Sequence, residues 1–159
     1  LYQHEVQSIE SLEEFSGEQE SGRYPAARLQ VRDAPPARIT IAVYGYMAEL
    51  ARQAALDLAY KHEIFAELIV FSQLSPFRSE LLLESLAKSG RLLTVEEGVR
   101  THGWGAEVAA AVQEQHQSPL AFGRVAALDM PVPAAGPLEQ RVLPSADSIV
   151  KAARSLASK

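Results

Sequence analysis

Three stretches of the 159-residue chain have residue types and spacing that bear on chemistry. Glu96 and Glu97 close an apolar run. Gly98-Val99-Arg100-Thr101-His102-Gly103-Trp104-Gly105 follows at once, and Asp129-Met130-Pro131-Val132-Pro133 comes later. Paired carboxylates do acid–base work when both reach one substrate. Neighbours at the end of a strand point to opposite sides, which argues against that here. One of the two is expected to be a structural carboxylate that accepts backbone N–H bonds from the glycine-rich loop; the functional alternative is a partner contact. The loop places Gly98, Gly103 and Gly105 before a predicted helix, and a helix N-terminus can hold an anion. It lacks the G-x-G-x-x-G spacing and the P-loop lysine, so its glycines also fit a plain connection that needs them for its turns.

The histidines are His4, His62, His102 and His116. None stands three or four residues from another, so no helical metal site is encoded. His102, with Arg100, is best placed for chemistry, though a surface or interface role suits it better than a catalytic base. Trp104, the only tryptophan, reads as a packing or interface anchor rather than a cofactor stacker. Pro131 and Pro133 hold the segment after Asp129 in an extended, rigid path. No G-x-S-x-G elbow supports a hydrolase triad. The chain has no cysteine, which excludes disulfides, thiolate metal sites and cysteine nucleophiles.

The elements that must position these residues follow from patterning. Apolar residues make up 47% of the chain and charged residues 22%, with a net charge of −5. That is the composition of an ordinary globular protein. The acidic balance argues against a general nucleic-acid binder. No apolar run is long enough to span a bilayer and no signal peptide is visible, so no membrane association and a cytoplasmic location are expected. Residues 1–23 are rich in glutamate and read as an acidic, solvated arm. From Tyr24 onward, strands are predicted at 27–32, 38–44, 67–72, 91–95 and 124–128, and helices at 47–60, 79–89, 105–115 and after Ser145, the last with Ser145 as its cap. Gly90 is expected just beyond the second helix, and 129–144 as a proline-rich connection. Strands alternating with helices imply an α/β fold: one doubly wound, three-layer α/β/α domain over 24–159 with a mostly parallel sheet. Ligands would sit at the carboxyl ends of its strands.

Leu92-Leu93-Thr94-Val95-Glu96-Glu97-Gly98, then Gly103-Trp104-Gly105-Ala106-Glu107-Val108, then Asp129-Met130-Pro131-Val132-Pro133 occur in that order. With the strand 39–44, Gly45 and Ser75-Pro76-Phe77, this series resembles the C-terminal domain of the transketolase superfamily. Within it, the chain resembles the β subunit of the E1 component of 2-oxo acid dehydrogenase complexes of the pyruvate, branched-chain and acetoin types. The resemblance implies a five-stranded sheet whose first strand is antiparallel. It implies a parent enzyme that uses thiamine diphosphate and magnesium, held by domains other than this one, so no cofactor-binding or catalytic residue is carried onto this chain. It further implies a role in assembly: a dimer, association with cofactor-binding domains or the E1 α subunit, and a contribution to docking the E2 acyltransferase. A chain that begins at Leu1 is then expected to be a fragment with its linker.

The expectation is therefore an assembly domain, inactive alone, whose interface residues include Glu96, Glu97, Gly98, Arg100, His102, Trp104, Asp129, Pro131 and Pro133. The competing expectation is a free-standing α/β binding module with an anionic ligand at the 98–105 loop. A dinucleotide-dependent dehydrogenase is a third reading, opposed by the missing G-x-G-x-x-G.

Overall fold

The computed structural model of the chain describes residues 12–76, 80–115 and 119–158. His4, His116 and Phe77 lie outside them, as does Ser79, where the sequence pattern starts the second helix.

The strands are β1 (Phe15–Gln19), β2 (Ala27–Val31), β3 (Ile39–Tyr44), β4 (Ala66–Phe71), β5 (Arg91–Val99) and β6 (Ala121–Ala127). The helices are α1 (Met47–His62), α2 (Glu80–Ser89), α3 (Trp104–Gln115), α4 (Gly136–Val142) and α5 (Ala146–Ala157). The strands form one six-stranded sheet in the order β1-β2-β4-β3-β5-β6. β3 to β6 are parallel to one another, and β2 is antiparallel to both β1 and β4. The α/β doubly wound architecture and the reversed strand at 27–31 are as expected.

β3 and β4 are β-branched and apolar because both of their faces are covered. On one face, Met47, Ala51, Ala54 and Leu58 of α1 and Ile149, Ala153 and Leu156 of α5 pack on Ile39, Ile41, Val43 and Leu68. On the other, Leu82 and Leu86 of α2 and Val108 and Val112 of α3 pack on Ala42, Ile69 and Leu92. Alanine on α1 lets that helix lie close to the sheet. Thr40 is fully buried under α2 and is satisfied by Ser85 and Ser89, each 2.7 Å from its hydroxyl. Gly90 has φ 61°, and its N–H donates to Leu86 O at 2.8 Å. This left-handed conformation ends α2. Ser145 caps α5, its hydroxyl accepting from Ser148 N at 3.2 Å, as serine commonly does at a helix start.

β5 runs four residues past the expected strand 91–95, taking in Gly98 and Val99, and two further elements depart from the expectation. Residues 15–19, read from sequence as part of a solvated arm, form the sixth strand, with Phe15 opposite Val31 and Gln19 opposite Ala27. Phe15 is only 1% exposed, beside Leu12 and beneath the Arg52 guanidinium. Arg32 fastens the segment by donating to Glu13 O at 3.0 Å and Phe15 O at 2.9 Å. The glutamates hid a strand with only one buried side chain, because an edge strand needs few apolar residues. Within the connection 129–144 lies the short helix α4, with Pro137 in its first turn, where a missing N–H costs nothing.

Phe15→Ala is expected to lower stability by about 3 kcal/mol in urea denaturation, as for a buried aromatic. A solvated arm would give a change within about 0.5 kcal/mol.

Candidate functional site

The carboxyl ends of β3, β4, β5 and β6 meet the first turn of α3. Glu96, on β5, is fully buried, whereas Glu97 is exposed. The two carboxylates therefore diverge and do not form an acid–base couple. Glu96 Oε1 accepts from Gly105 N at 3.2 Å and from Arg124 Nη2 at 2.8 Å. The same Nη2 donates to Arg100 O at 2.7 Å. The carboxylate thus occupies the start of α3, where a negative charge is favoured by the helix dipole, and fastens the 98–105 loop to β6. Sequence reasoning does not single out Arg124. Its signal is the ladder: Arg124 lies opposite Thr94 and so shares a face with Glu96. Closeness explains the glycines of G-W-G. A Cβ on Gly105 would lie closest to Thr94 Oγ1 and 2.8 Å from Glu96 Oε1, and one on Gly103 closest to Val99 O and 2.5 Å from Glu96 Oε2.

Trp104 is half-buried. It meets Tyr44 and Phe71 edge-on, with ring centroids 5.0 Å and 5.4 Å apart, a favoured arrangement for aromatic pairs. Burial pushes the Tyr44 phenol up from its ordinary pKa, and the negative charge of Glu96 adds to this, since both disfavour the phenolate. Beyond the ring cluster, Thr101 joins the two connections. Its N–H donates to Asp129 Oδ1 at 2.9 Å and its hydroxyl to Oδ2 at 2.8 Å. The Thr101 N–H first, then its hydroxyl, hold the Asp129 carboxyl below the usual carboxylate range, with Arg100 and Arg124 contributing charge. Each of these favours the ionised form.

The structure brings Glu96, Arg100, Trp104 and Asp129 into this set of contacts. Gly98 and Pro131 are exposed beside it, Pro133 is half-buried, and His102 is exposed at a turn with φ 55°. Among the described residues no group of three His, Asp or Glu side chains could hold a metal. The anion reading of the 98–105 loop finds no support, because Glu96 takes the Gly105 N–H and its carboxylate neutralises Arg124.

The family model for the transketolase C-terminal domain matches residues 30–149, from β2 into α5. The chain belongs to that family. It is 37% identical over 118 residues to the mitochondrial pyruvate dehydrogenase E1 component subunit beta-2 of Oryza sativa subsp. japonica, a match covering 73% of this chain and 31% of that protein. It is 36% identical over 118 residues to the acetoin:2,6-dichlorophenolindophenol oxidoreductase subunit beta of Cupriavidus necator, covering 73% of this chain and 35% of that protein. Among solved structures, a split-gene transketolase described as an inactive beta4 tetramer superposes with a TM-score of 0.67 at 27% identity, over 79% of this chain and 41% of that one. The chain thus spans about a third of the curated relatives it matches.

The resemblance implies thiamine diphosphate with magnesium for the parent enzyme, and the start of α3 in this transketolase C-terminal domain does not fit that group, because Glu96 already takes the Gly105 N–H. A diphosphate at the start of α3 would meet the Glu96 carboxylate.

Arg124→Ala leaves the Glu96 charge buried without its partner and is expected to cost about 3–5 kcal/mol in urea denaturation, with partial recovery in the Glu96→Gln/Arg124→Ala double variant. A loss below about 1 kcal/mol would show that the pair is open in solution. For Asp129 the folded pKa is lowered, so its contact with Thr101 is present above the unfolded value and lost as pH falls through the folded one. The Thr101 amide resonance should stay constant from about pH 7 to about pH 5 and move only below about pH 4. In Asp129→Asn that acid transition disappears.

Proposed function

We propose that this chain is the assembly domain of a thiamine-diphosphate-dependent enzyme of the E1β or transketolase type, acting in subunit association and silent in catalysis by itself. One observation carries the reading. Val99, Leu128, Met130 and Val132 are exposed along the two connections joined by Thr101 and Asp129, with Leu128 at 54% and Met130 at 47%. Val99 pairs with Ala127 next to Leu128, and Leu128 N donates to Val142 O at 3.1 Å, so these side chains are presented from fixed backbone. Clustered apolar side chains on a rigid polar frame suit an interface better than a ligand site. The names of the relatives support the reading, since they are subunits of larger enzymes and one solved likeness is a tetramer.

The expected partners are a second copy of the chain, the cofactor-binding domains or α subunit of the parent enzyme, and its acyltransferase. The parent reaction is of the 2-oxo acid dehydrogenase or transketolase type.

Sedimentation equilibrium of the 159-residue chain should show self-association. Replacing Leu128 and Met130 together by Asp should weaken it about a hundredfold or more, given ~1.5–3 kcal/mol for each large apolar side chain. A monomeric parent chain at its highest soluble concentration would overturn the dimer. Calorimetry with thiamine diphosphate and magnesium should give no binding heat, and micromolar binding would overturn the silent-domain reading.

A further inference from the structure

At the other end of the sheet from β6, α2 and α3 leave part of their face uncovered. A recess of about 230 Å³ lies there, lined by Ser16, Gly17, Glu18, Arg28, Gln30 and Glu67. The register explains the grouping. Ser16 is opposite Gln30, Glu18 opposite Arg28, and Gln30 opposite Glu67, so these side chains share one face of β1, β2 and β4. Thr40, opposite Glu67 on β3, is already sealed by Ser85 and Ser89 of α2. Glu67 therefore stands where the helical cover stops.

Glu67 is 8% exposed, and its buried Oε2 has no hydrogen-bond partner. A buried carboxylate oxygen without a donor is costly and uncommon. Arg28 and Gln30, the nitrogen donors lining the recess, are committed elsewhere. Arg28 pairs with Glu18 and, at 3.4 Å, with Glu84 of α2. The Gln30 amide donates to Ala34 O at 3.1 Å and Pro35 O at 3.2 Å. Glu18 and Glu84 thus share the single guanidinium of Arg28, and with Glu67 lining the recess beside them the site carries a negative excess. A bare divalent cation is a poor match, because it needs several oxygen ligands and Arg28 lies beside the carboxylates.

We propose that this recess binds the head of an organic cation bearing N–H donors, an alkylguanidinium or alkylammonium group, with Glu67 as its principal acceptor. Such a group supplies the positive charge that the recess lacks, and its N–H donors make charge-assisted hydrogen bonds to a carboxylate. The volume, below the roughly 300 Å³ at which drug-sized sites begin, suits a head group and a short stem. The head belongs either to a free small molecule or to an arginine or lysine side chain of another protein surface. The site is independent of the self-association surface at the β6 edge.

The test is an amide-resolved NMR titration of the full chain with ethylguanidinium, ethylammonium, a blocked arginine tripeptide, and the neutral isostere ethylurea. Saturable shifts at Ser16, Gly17, Glu18, Gln30 and Glu67 are expected with at least one cation and none with ethylurea. Glu67→Gln should weaken binding about tenfold or more. Should that variant fold poorly, Glu18→Gln, altered at an exposed side chain, should weaken it measurably with the fold intact. Binding of the small cations alone supports the site with a free molecule as its source. Binding of the tripeptide as well supports it with a protein side chain as the source. No saturable shift, equal response to ethylurea, or undiminished binding by a well-folded Glu67→Gln chain overturns the proposal. Self-association does not enter these readouts, so failure here leaves the assembly reading standing, and the reverse.

Discussion

The fully buried carboxylate of Glu96 is the constraint around which the carboxyl end of the sheet is arranged. A charge in that position needs donors, and each donor fixes a different element. Gly105 N–H fixes the start of α3, and Arg124 fixes β6 while also holding the carbonyl of Arg100. The pair does not add greatly to stability, since desolvation offsets much of its attraction. Its consequence is specificity of geometry. With α3 seated, Trp104 lies between Tyr44 and Phe71, and the 98–105 loop is brought to where Thr101 can meet Asp129. Glycine at 103 and 105 follows from crowding around the same contact, because a side chain there would meet the Val99 carbonyl or the Thr94 hydroxyl as well as the carboxylate.

That arrangement bears on function through what it occupies. In an open α/β sheet the carboxyl ends of the strands are the usual place for a ligand. Here the helix N-terminus that would greet an anion is filled by the chain's own carboxylate, and the cation beside it is neutralised. Outward-facing there are the apolar Val99, Leu128, Met130 and Val132, set among the exposed polar side chains of Glu97, Arg100, Thr101, His102 and Asp129. For a domain spanning about a third of relatives that are named as enzyme subunits, a surface of that kind accords with association rather than chemistry.

The two edges of the sheet differ. β6 carries the apolar connections, whereas β1 and β2 carry charge on one face and bury Phe15 on the other. Glu20, just beyond β1, accepts from Leu81 N at 3.2 Å, so the acidic stretch also anchors the beginning of α2. A segment whose composition suggests solvation is therefore integral to the domain over residues 12–20.

The sequence by itself determined the alternation of strands and helices, the caps at Gly90 and Ser145, and the family, through motifs in order along the chain. These are local or linear properties: hydrophobic period, special backbone conformations and residue spacing. It also separated Glu96 from Glu97, because alternation along a strand is itself local. Only the tertiary structure decided that Glu96 is the buried one, that Arg124 twenty-eight residues away is its partner, that Phe15 belongs to the sheet, and that Glu67 stands at the margin of the helical cover without a donor. Each of these depends on which strands become neighbours and in what register. Strand pairing is a long-range choice made by burial and hydrogen bonding across the whole sheet, and no local pattern carries it.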